Sequence, residues 1–240
     1  MTGFAAPDNK SGFLLMSFSY DAFKGNFSIK DFISDIRYKK EFRKSHPTYF
    51  DPDGLLLYCG GQGMGKTLSA VRYVNRLNKL YPKAIIVSNI ALHLENNPEI
   101  IPYTCLADVA AMDNGYEGII LLLDEIQVEF NSLESAKIHP SVIQTISQQR
   151  KRRLHVVGTT QLFKRLAKPW REQCNSVVDC SCVLNHIQRN QLIDFGTIAE
   201  DANGNLTQYE YSQQTFWFRS PKHYQMYDTF ERVKRVGGGK

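Results

Sequence analysis

A glycine-rich segment at residues 60–67 restricts this chain to a small set of folds. It follows an apolar run at residues 55–59 and leads into a helical pattern at residues 66–80. In chain order, its residues are Gly60, Gly61, Gln62, Gly63, Met64, Gly65, Lys66 and Thr67. The spacing is GxxxxGK[ST], in the strand-loop-helix context where this motif forms a phosphate-binding loop. We therefore expect these residues to bind the phosphates of ATP.

Each part of the motif has a task in binding phosphate. Glycines allow the backbone to turn so that its N–H groups face the phosphate oxygens. The N-terminus of the following helix adds about half a positive charge. Lys66 is expected to neutralise the β- and γ-phosphates, and the Thr67 hydroxyl is expected to be a ligand of Mg²⁺. ATP and Mg²⁺ are thus the predicted cofactors.

Two adjacent carboxylates, Asp124 and Glu125, follow the apolar run at residues 119–123. A buried strand that ends in Asp124 places this carboxylate at the carboxyl edge of the sheet, where α/β folds bind ligands. Asp124 is expected to hold Mg²⁺ through water. Glu125 is expected to polarise the attacking water. The pair therefore favours hydrolysis over phosphate transfer to a small molecule.

The middle of the chain alternates strands with helices, which predicts an α/β fold with a mostly parallel sheet. Predicted strands lie at residues 55–59, 84–88, 119–123, 154–159 and 177–184, and predicted helices at 66–80, 140–150 and 162–173. The strand at 119–123 is apolar throughout, as expected for a strand covered on both faces.

The two ends of the chain differ from this core. Residues 1–27 are interpreted as an arm and residues 28–42 as an amphipathic helix, which leads into a basic cluster at residues 37–44. That cluster is either a solvated face or a nucleic-acid contact. Beyond the core, two strand-like runs at 191–198 and 208–219 predict an antiparallel hairpin.

A final helix is predicted at residues 222–235. The predicted parts of the chain are an arm and helix at 1–50, an ATPase core at 51–190, an appended hairpin and helix at 191–235, and a flexible tail at 236–240.

Composition excludes several classes of protein. The five cysteines complete no zinc set and are expected to be buried, reduced thiols. No run reaches about 18 apolar residues, so no integral membrane segment is predicted, and no secretory leader is visible. The expected location is therefore the cytoplasm. A net charge of +5 permits a nucleic-acid partner without requiring one.

The strand predicted at residues 154–159 is flanked by candidate catalytic groups. Gln161 or Thr160 at its end is suited to sense the γ-phosphate and the water. Arg150 and Arg153 precede the strand, at the opposite end of the sheet or on the preceding helix, where they cannot easily reach their own nucleotide. They are a solvated helix end, arginine fingers for a neighbouring subunit in a ring, or contacts to a DNA backbone.

Together these residues resemble the HerA/FtsK superfamily of DNA-pumping ATPases. The similarity rests on the phosphate loop, the run ending in Asp124 and Glu125, Arg150 before its strand, and Thr160-Gln161 after it. Within the superfamily, the chain is most similar to the zonular occludens toxin (Zot) domain, the filamentous-phage gene I assembly ATPase family. Segments at residues 169–171 and 227–229 add to this similarity.

The resemblance implies a RecA-like (ASCE) P-loop core, a homo-oligomeric ring of five or six subunits, and DNA pumped by ATP hydrolysis. It makes Arg150 the first candidate for a finger and Arg153 the second. Phage assembly ATPases of this family usually carry a membrane-spanning segment after the ATPase domain, and none is visible here. Export and packaging of a viral or mobile-element genome therefore both stay open. The resemblance also implies that the cytoplasm is that of a host cell, or that the protein is associated with a virion.

Three functions remain to be distinguished. The first is a DNA translocase motor for virion assembly, with DNA of undetermined form as its partner. The second is an ATP-dependent scaffold or switch that recruits a capsid or coat protein without pumping, which would suit the aromatic arm. The third is a nucleotide kinase, against which the Asp124-Glu125 pair argues.

Overall fold

The computed structural model describes residues 28–130, 153–193, 199–200 and 206–232. The strands are β1 Gly54–Cys59, β2 Ile85–Ser88, β3 Ile90–Leu92, β4 Ile100–Pro102, β5 Ile119–Leu123, β6 Leu154–Thr160, β7 Cys174–Val183, β8 Ile187–Ile193, β9 Ala199–Glu200, β10 Leu206–Gln208, β11 Tyr211–Phe218 and β12 Tyr227–Arg232. The helices are α1 Ile29–Ser45, α2 Lys66–Leu80, α3 Leu106–Ala111, α4 Lys168–Glu172 and α5 Pro221–Tyr224, with 3-10 turns at Ile126–Val128 and Phe163–Arg165.

Eight of the strands form one sheet in the order β11-β8-β7-β1-β6-β5-β2-β4. From β7 to β4 every neighbouring pair is parallel. At the other edge, β8 and β11 are antiparallel. The predicted α/β class with a mostly parallel sheet is confirmed. Since β6 lies between β1 and β5, the carboxyl ends of these three strands meet at one edge.

The sheet is buried on both faces because each central strand sends alternate side chains into two separate apolar clusters. Leu57 and Leu121 belong to one cluster, together with Trp170 of α4. Tyr58 and Ile120 belong to the other, which includes the apolar face of α2. This alternation explains why β5 is apolar at every position.

Chain contacts divide the molecule into two units, residues 1–45 and 46–240. In the first unit, α1 begins as predicted, with the Asp31 amide donating to Ser28 Oγ at 3.2 Å. Its apolar residues Ile29 and Phe32 are 65% and 60% exposed, and none of its residues is buried.

Two predicted helices have a different structure. Residues 162–173 form a 3-10 turn and the short helix α4, joined by extended backbone at Leu166 and Ala167. Pro169 lies in the first turn of α4, where its missing N–H costs nothing, whereas one continuous helix would place it in the interior. The helix predicted at 222–235 is also wrong, because α5 ends at Tyr224 and β12 follows, paired with β3.

The C-terminal hairpin is present, but its strands begin and pair differently. β8 begins at Ile187, before the predicted start, and pairs with β11 on one side and β7 on the other. The β7–β8 turn places Leu184 and Asn185 at φ of 52° and 59°. Two positive φ values are typical of tight hairpin turns, which usually contain glycine, so this turn carries a weak sequence signal. The arm at 1–27, the helix at 140–150 and the tail at 236–240 lie outside the described residues.

All five cysteines are free, and their burial varies. Cys174 and Cys180 are buried, and burial raises the pKa of each thiol to about 12, so both stay protonated at neutral pH. Cys105 is exposed, contrary to the prediction that all are buried.

None of the helices in the described residues is long and apolar enough to span a membrane.

His155 of β6 links the sheet to α2 and is nearly fully buried. Its Nε2 lies 3.1 Å from the Tyr73 hydroxyl, and its Nδ1 lies 3.0 Å from the Asp53 carbonyl oxygen. A carbonyl can only accept, so Nδ1 carries the proton of the neutral ring. Burial lowers the pKa of His155, although the hydrogen bonds to the carbonyls of Asp53 and Gly54 oppose this effect.

We predict that His155 makes the free energy of unfolding fall in mild acid. Because its folded pKa lies below the unfolded value of 6.5, the unfolded chain takes up the proton first as the pH falls. The stability is therefore complete above about pH 6.5 and decreases below it, by at most about 1.4 kcal/mol per pH unit. Urea unfolding of wild type and His155→Asn between pH 7.5 and 5.5 measures this slope, with His93→Gln as the imidazole control. An unchanged slope in His155→Asn would contradict the prediction.

Candidate nucleotide site

The glycine-rich loop connects the end of β1 to the start of α2. Gly65 is the residue before the helix and has φ of +81°, a conformation that L side chains rarely adopt. A Cβ added there would displace the ends of the Gln188 and Arg219 side chains. Glycine is therefore favoured at this position chiefly by its backbone conformation.

Two functional side chains of the motif form hydrogen bonds to different parts of the protein. The Lys66 ammonium donates to the Gly61 carbonyl at 2.9 Å, so it crosses the loop. The Thr67 hydroxyl donates to Asp124 Oδ1 at 2.7 Å. The residues predicted to bind Mg²⁺, Thr67 and Asp124, are thus in direct contact although 57 positions separate them.

Asp124 is held in place through its backbone and its side chain. The side-chain oxygen of Asn89 accepts the Asp124 N–H at 2.8 Å, and its side-chain nitrogen donates to the Asp124 carbonyl at 2.9 Å. On the other side, the Thr159 hydroxyl donates to Asp124 Oδ1 at 2.7 Å. Asn89 follows β2 and Thr159 lies near the end of β6, so the two strands that flank β5 fix the position of its terminal carboxylate.

Glu125 adopts a backbone conformation that is unusual for a glutamate. Its φ is +52°, in the left-handed region. Such a conformation costs on the order of 1–3 kcal/mol and persists only where its surroundings enforce it. Here the Thr159 hydroxyl accepts the Glu125 N–H at 2.9 Å, and the next residue, Ile126, is fully buried. The Glu125 residue itself is exposed, beside Asp124 at the edge of the sheet.

The residue of β6 that contacts the acidic pair is Thr159, which was not among the predicted site residues. The Thr160 hydroxyl donates to the Leu162 carbonyl at 3.1 Å. Gln161 is half-buried and lines a cavity of about 440 Å³ together with Gly60 and Gly61. Gln161 therefore lies beside the beginning of the loop, and Thr159 joins Asp124 to Glu125.

Of the two candidate arginines before β6, the structure describes Arg153. Arg153 immediately precedes this strand at the sheet edge opposite the loop, and its guanidinium lies 3.9 Å from the centre of the Tyr49 ring. Its carbonyl accepts the Ile119 N–H at 2.9 Å. Arg150 lies outside the described residues.

Gln188 and Arg219 contact the loop from the antiparallel edge of the sheet, and neither was a predicted site residue. Gln188 is fully buried, and its Nε2 donates to the Met64 carbonyl at 2.9 Å. Its Oε1 accepts two bonds from Arg219, at 3.0 and 2.7 Å. Arg219 Nη2 also lies 3.4 Å from the Gly63 carbonyl. These bonds hold the outer carbonyls of the loop, which leaves the glycine N–H groups available for phosphate.

The C-terminal segment also approaches the acidic pair. Tyr227, the first residue of β12, is half-buried, and burial raises the pKa of its hydroxyl. The charge of Asp124 adds to this rise, whereas Arg219 opposes it. The segment at 227–229 noted in the sequence therefore begins within electrostatic range of Asp124.

No protein-family model matches this sequence, and no curated protein matches it significantly. Among solved structures, the N-terminal domain of zonular occludens toxin from Neisseria meningitidis is similar, with a TM-score of 0.52 and 16% identity over 74% of this chain and 100% of that one. The genome packaging NTPase B204 from Sulfolobus turreted icosahedral virus 2, solved with AMPPCP, aligns at a TM-score of 0.44 and 15% identity over 54% of this chain and 76% of that one. The first similarity confirms the RecA-like P-loop fold and, at the level of the fold, the resemblance to the Zot domain.

We predict that Thr159→Val lowers kcat for ATP hydrolysis about 10- to 100-fold, because Asp124 loses a donor and the Glu125 N–H loses its acceptor. The affinity for ATP should change little, since the loop itself is untouched. Steady-state phosphate release and binding of a fluorescent ATP analogue measure the two effects.

Thr159→Ser, which keeps the hydroxyl, should restore most of the rate. Thr160→Val is the matched control, because its hydroxyl bonds only to the Leu162 carbonyl within the described residues. A larger loss of rate in Thr160→Val than in Thr159→Val would show that the wrong threonine has been assigned.

Proposed function

We propose that this chain is an ATPase that drives DNA packaging or export during assembly of a virus or mobile element. The observation that carries the proposal is the 2.7 Å contact between Thr67 Oγ1 and Asp124 Oδ1, with Glu125 fixed at the next position. A phosphate loop, a carboxylate for the metal and a second carboxylate for water thus lie at one edge of the sheet. Such an arrangement suits hydrolysis rather than binding alone.

The residues at the Mg²⁺ position fit the ion. Thr67 and Asp124 supply two oxygen atoms side by side, and Mg²⁺ is bound in proteins by a few such oxygens, with waters and phosphates completing its shell. When bound, the ion would offset negative charge on the β- and γ-phosphates. Asn89 and Thr159 would keep the Asp124 carboxylate facing that position.

Hydrolysis would depend on three further side chains. Lys66 would move from the Gly61 carbonyl to the phosphates, which are the stronger acceptors because they are charged. Glu125 would orient the attacking water and accept its proton. Thr159, which bonds both to Asp124 and to the Glu125 N–H, would keep the base in register with the metal ligand.

DNA as the cargo rests on the sequence resemblance and on positive charge. The net charge is +5, and the last turn of α1 carries Arg43 and Lys44. A ring of five or six subunits would place Arg150 of one subunit at the nucleotide of the next. A capsid or coat protein would be a further partner in either packaging or export.

We predict that Lys66→Ala abolishes ATP hydrolysis, whereas Glu125→Gln binds ATP normally and hydrolyses it about 10²- to 10⁴-fold more slowly, the range expected for loss of a general base. Phosphate release is measured without DNA and with single-stranded or duplex DNA, beside Lys168→Ala as an exposed-lysine control.

Hydrolysis that survives Lys66→Ala would refute the assignment of ATP hydrolysis to this phosphate loop. A normal ATPase rate that neither form of DNA stimulates would instead favour the scaffold function. In that case, binding to a structural protein of the particle should require ATP.

We predict that Arg150→Ala binds ATP and fails to hydrolyse it. Each nucleotide site keeps its own binding residues but lacks the arginine that the neighbouring subunit would supply. Mixing Arg150→Ala with Glu125→Gln should then recover part of the rate, since some interfaces regain both groups. Assembly mass by light scattering is measured on the same mixtures. Arg153→Ala is the comparison, and no recovery in any mixing ratio would contradict a finger that acts between subunits.

A further inference from the structure

A second cavity, of about 320 Å³, lies on the face of the sheet that α2 covers. Its walls are one side of α2 and the strands β1, β7, β8 and β11. Gln213 and Thr215 of β11 are exposed at its rim. None of the residues that line it belongs to the phosphate loop or to the acidic pair.

Two arginines one helical turn apart give this cavity its charge. Arg72 and Arg76 of α2 both line it, and no carboxylate does among the described residues. Arg72 packs its guanidinium 4.7 Å from the centre of the Trp217 ring. Burial and the neighbouring Arg76 charge both lower the pKa of Arg72, as expected for two cations that line the same cavity.

Glu95, an acidic residue that contacts α2, is bonded to groups other than the two arginines. Glu95 forms ion pairs with Lys79 and with Lys222, and it accepts a hydrogen bond from Asn75. In the part of the chain that the structure describes, neither Arg72 nor Arg76 has a carboxylate partner. Two repelling guanidinium groups in one cavity are stabilised by an anion, and planar guanidinium groups match phosphate in particular.

The rest of the lining is part polar and part apolar. Ser176, Asn190, Gln213 and Thr215 add hydroxyl and amide groups, and Leu56, Val178 and Leu192 are among the apolar residues. Contacts of this kind, from arginine together with short polar side chains, are the usual ones to a nucleic-acid backbone, and they are independent of sequence. We propose that this cavity binds phosphate groups of a nucleic-acid strand, an inference that rests on the DNA-dependent function proposed above.

The cavity is connected to the phosphate loop by hydrogen bonds. The Ser69 hydroxyl donates to Asn190 Oδ1 at 3.1 Å, and both residues line the cavity. The same oxygen accepts Gln188 Nε2 at 3.0 Å, and Gln188 Nε2 also contacts the Met64 carbonyl. A nucleic-acid strand that displaces Asn190 would therefore alter a contact of the loop. DNA binding could change the rate of hydrolysis by this route.

The test compares wild type with the double variant Arg72→Gln/Arg76→Gln. Fluorescence anisotropy measures the binding of labelled single-stranded and duplex oligonucleotides over a range of salt concentrations. All proteins are saturated with AMPPCP, so that the phosphate loop is filled by its own ligand. The double variant should bind less tightly, and the negative slope of log K against log salt should become shallower by about 2, because each arginine removed leaves one phosphate unneutralised.

Arg165→Gln/Lys168→Gln is the matched control, because it removes two exposed cations that line neither cavity. Its salt slope should equal that of wild type. Equal losses in both double variants would mean general attraction to positive charge and would overturn the proposal. Competition by inorganic pyrophosphate as strong as that by the unlabelled strand would overturn it too, in favour of a small free anion.

The two proposals fail in different ways. If wild type binds neither oligonucleotide, the DNA-dependent function fails and this inference falls with it. If wild type binds and the Arg72→Gln/Arg76→Gln protein keeps the same affinity and slope, only the cavity has been misassigned. Unaltered AMPPCP affinity in the variant shows that it is folded.

Discussion

Two threonine hydroxyls, from Thr67 and Thr159, donate to the same oxygen of Asp124. This three-residue contact joins the first turn of α2 to the ends of β6 and β5. It requires that β6 lie between β1 and β5 and that all three strands be parallel, because only then do their carboxyl ends meet. The apolar clusters on both faces of the sheet enforce this order. Burial of side chains far from the nucleotide thus sets the positions of the polar groups.

The antiparallel edge of the sheet gives the site its second support. A buried amide is costly unless it is bonded, and Gln188 satisfies both of its polar ends with the loop carbonyl, Asn190 and Arg219. The loop is therefore held from outside by β8 and by the residue after β11, in addition to α2. The left-handed backbone at Glu125 is supported in a similar way, by Thr159 and by burial of Ile126. The arginine-lined cavity shares Ser69 and Asn190 with this support, which places the two candidate ligand sites in one network.

Much of the core could be predicted because its signals are local. The strand at 119–123 and the helix at 66–80 have the bounds that their apolar patterns predict. Predictions were less successful where two structures compete for one segment. Residues 227–232 have no strong local preference and become a strand because β3 offers a free edge. The Leu184-Asn185 turn lacks glycine and is enforced by pairing of β7 with β8.

The sequence by itself determined the phosphate loop, the acidic pair and the alternation of strands and helices, since a motif with fixed spacing and an apolar period are properties of neighbouring residues. Tertiary structure alone decided which polar side chains support them. Thr159 contacts Asp124 and Thr160 does not, because two adjacent residues on a strand point to opposite faces and only one of them can face Asp124. Gln188 and Arg219 lie 124 and 156 positions from the carbonyls they contact, and no local pattern records such a distance. The same holds for Arg72 and Arg76, which in the sequence are only two cations of an amphipathic helix.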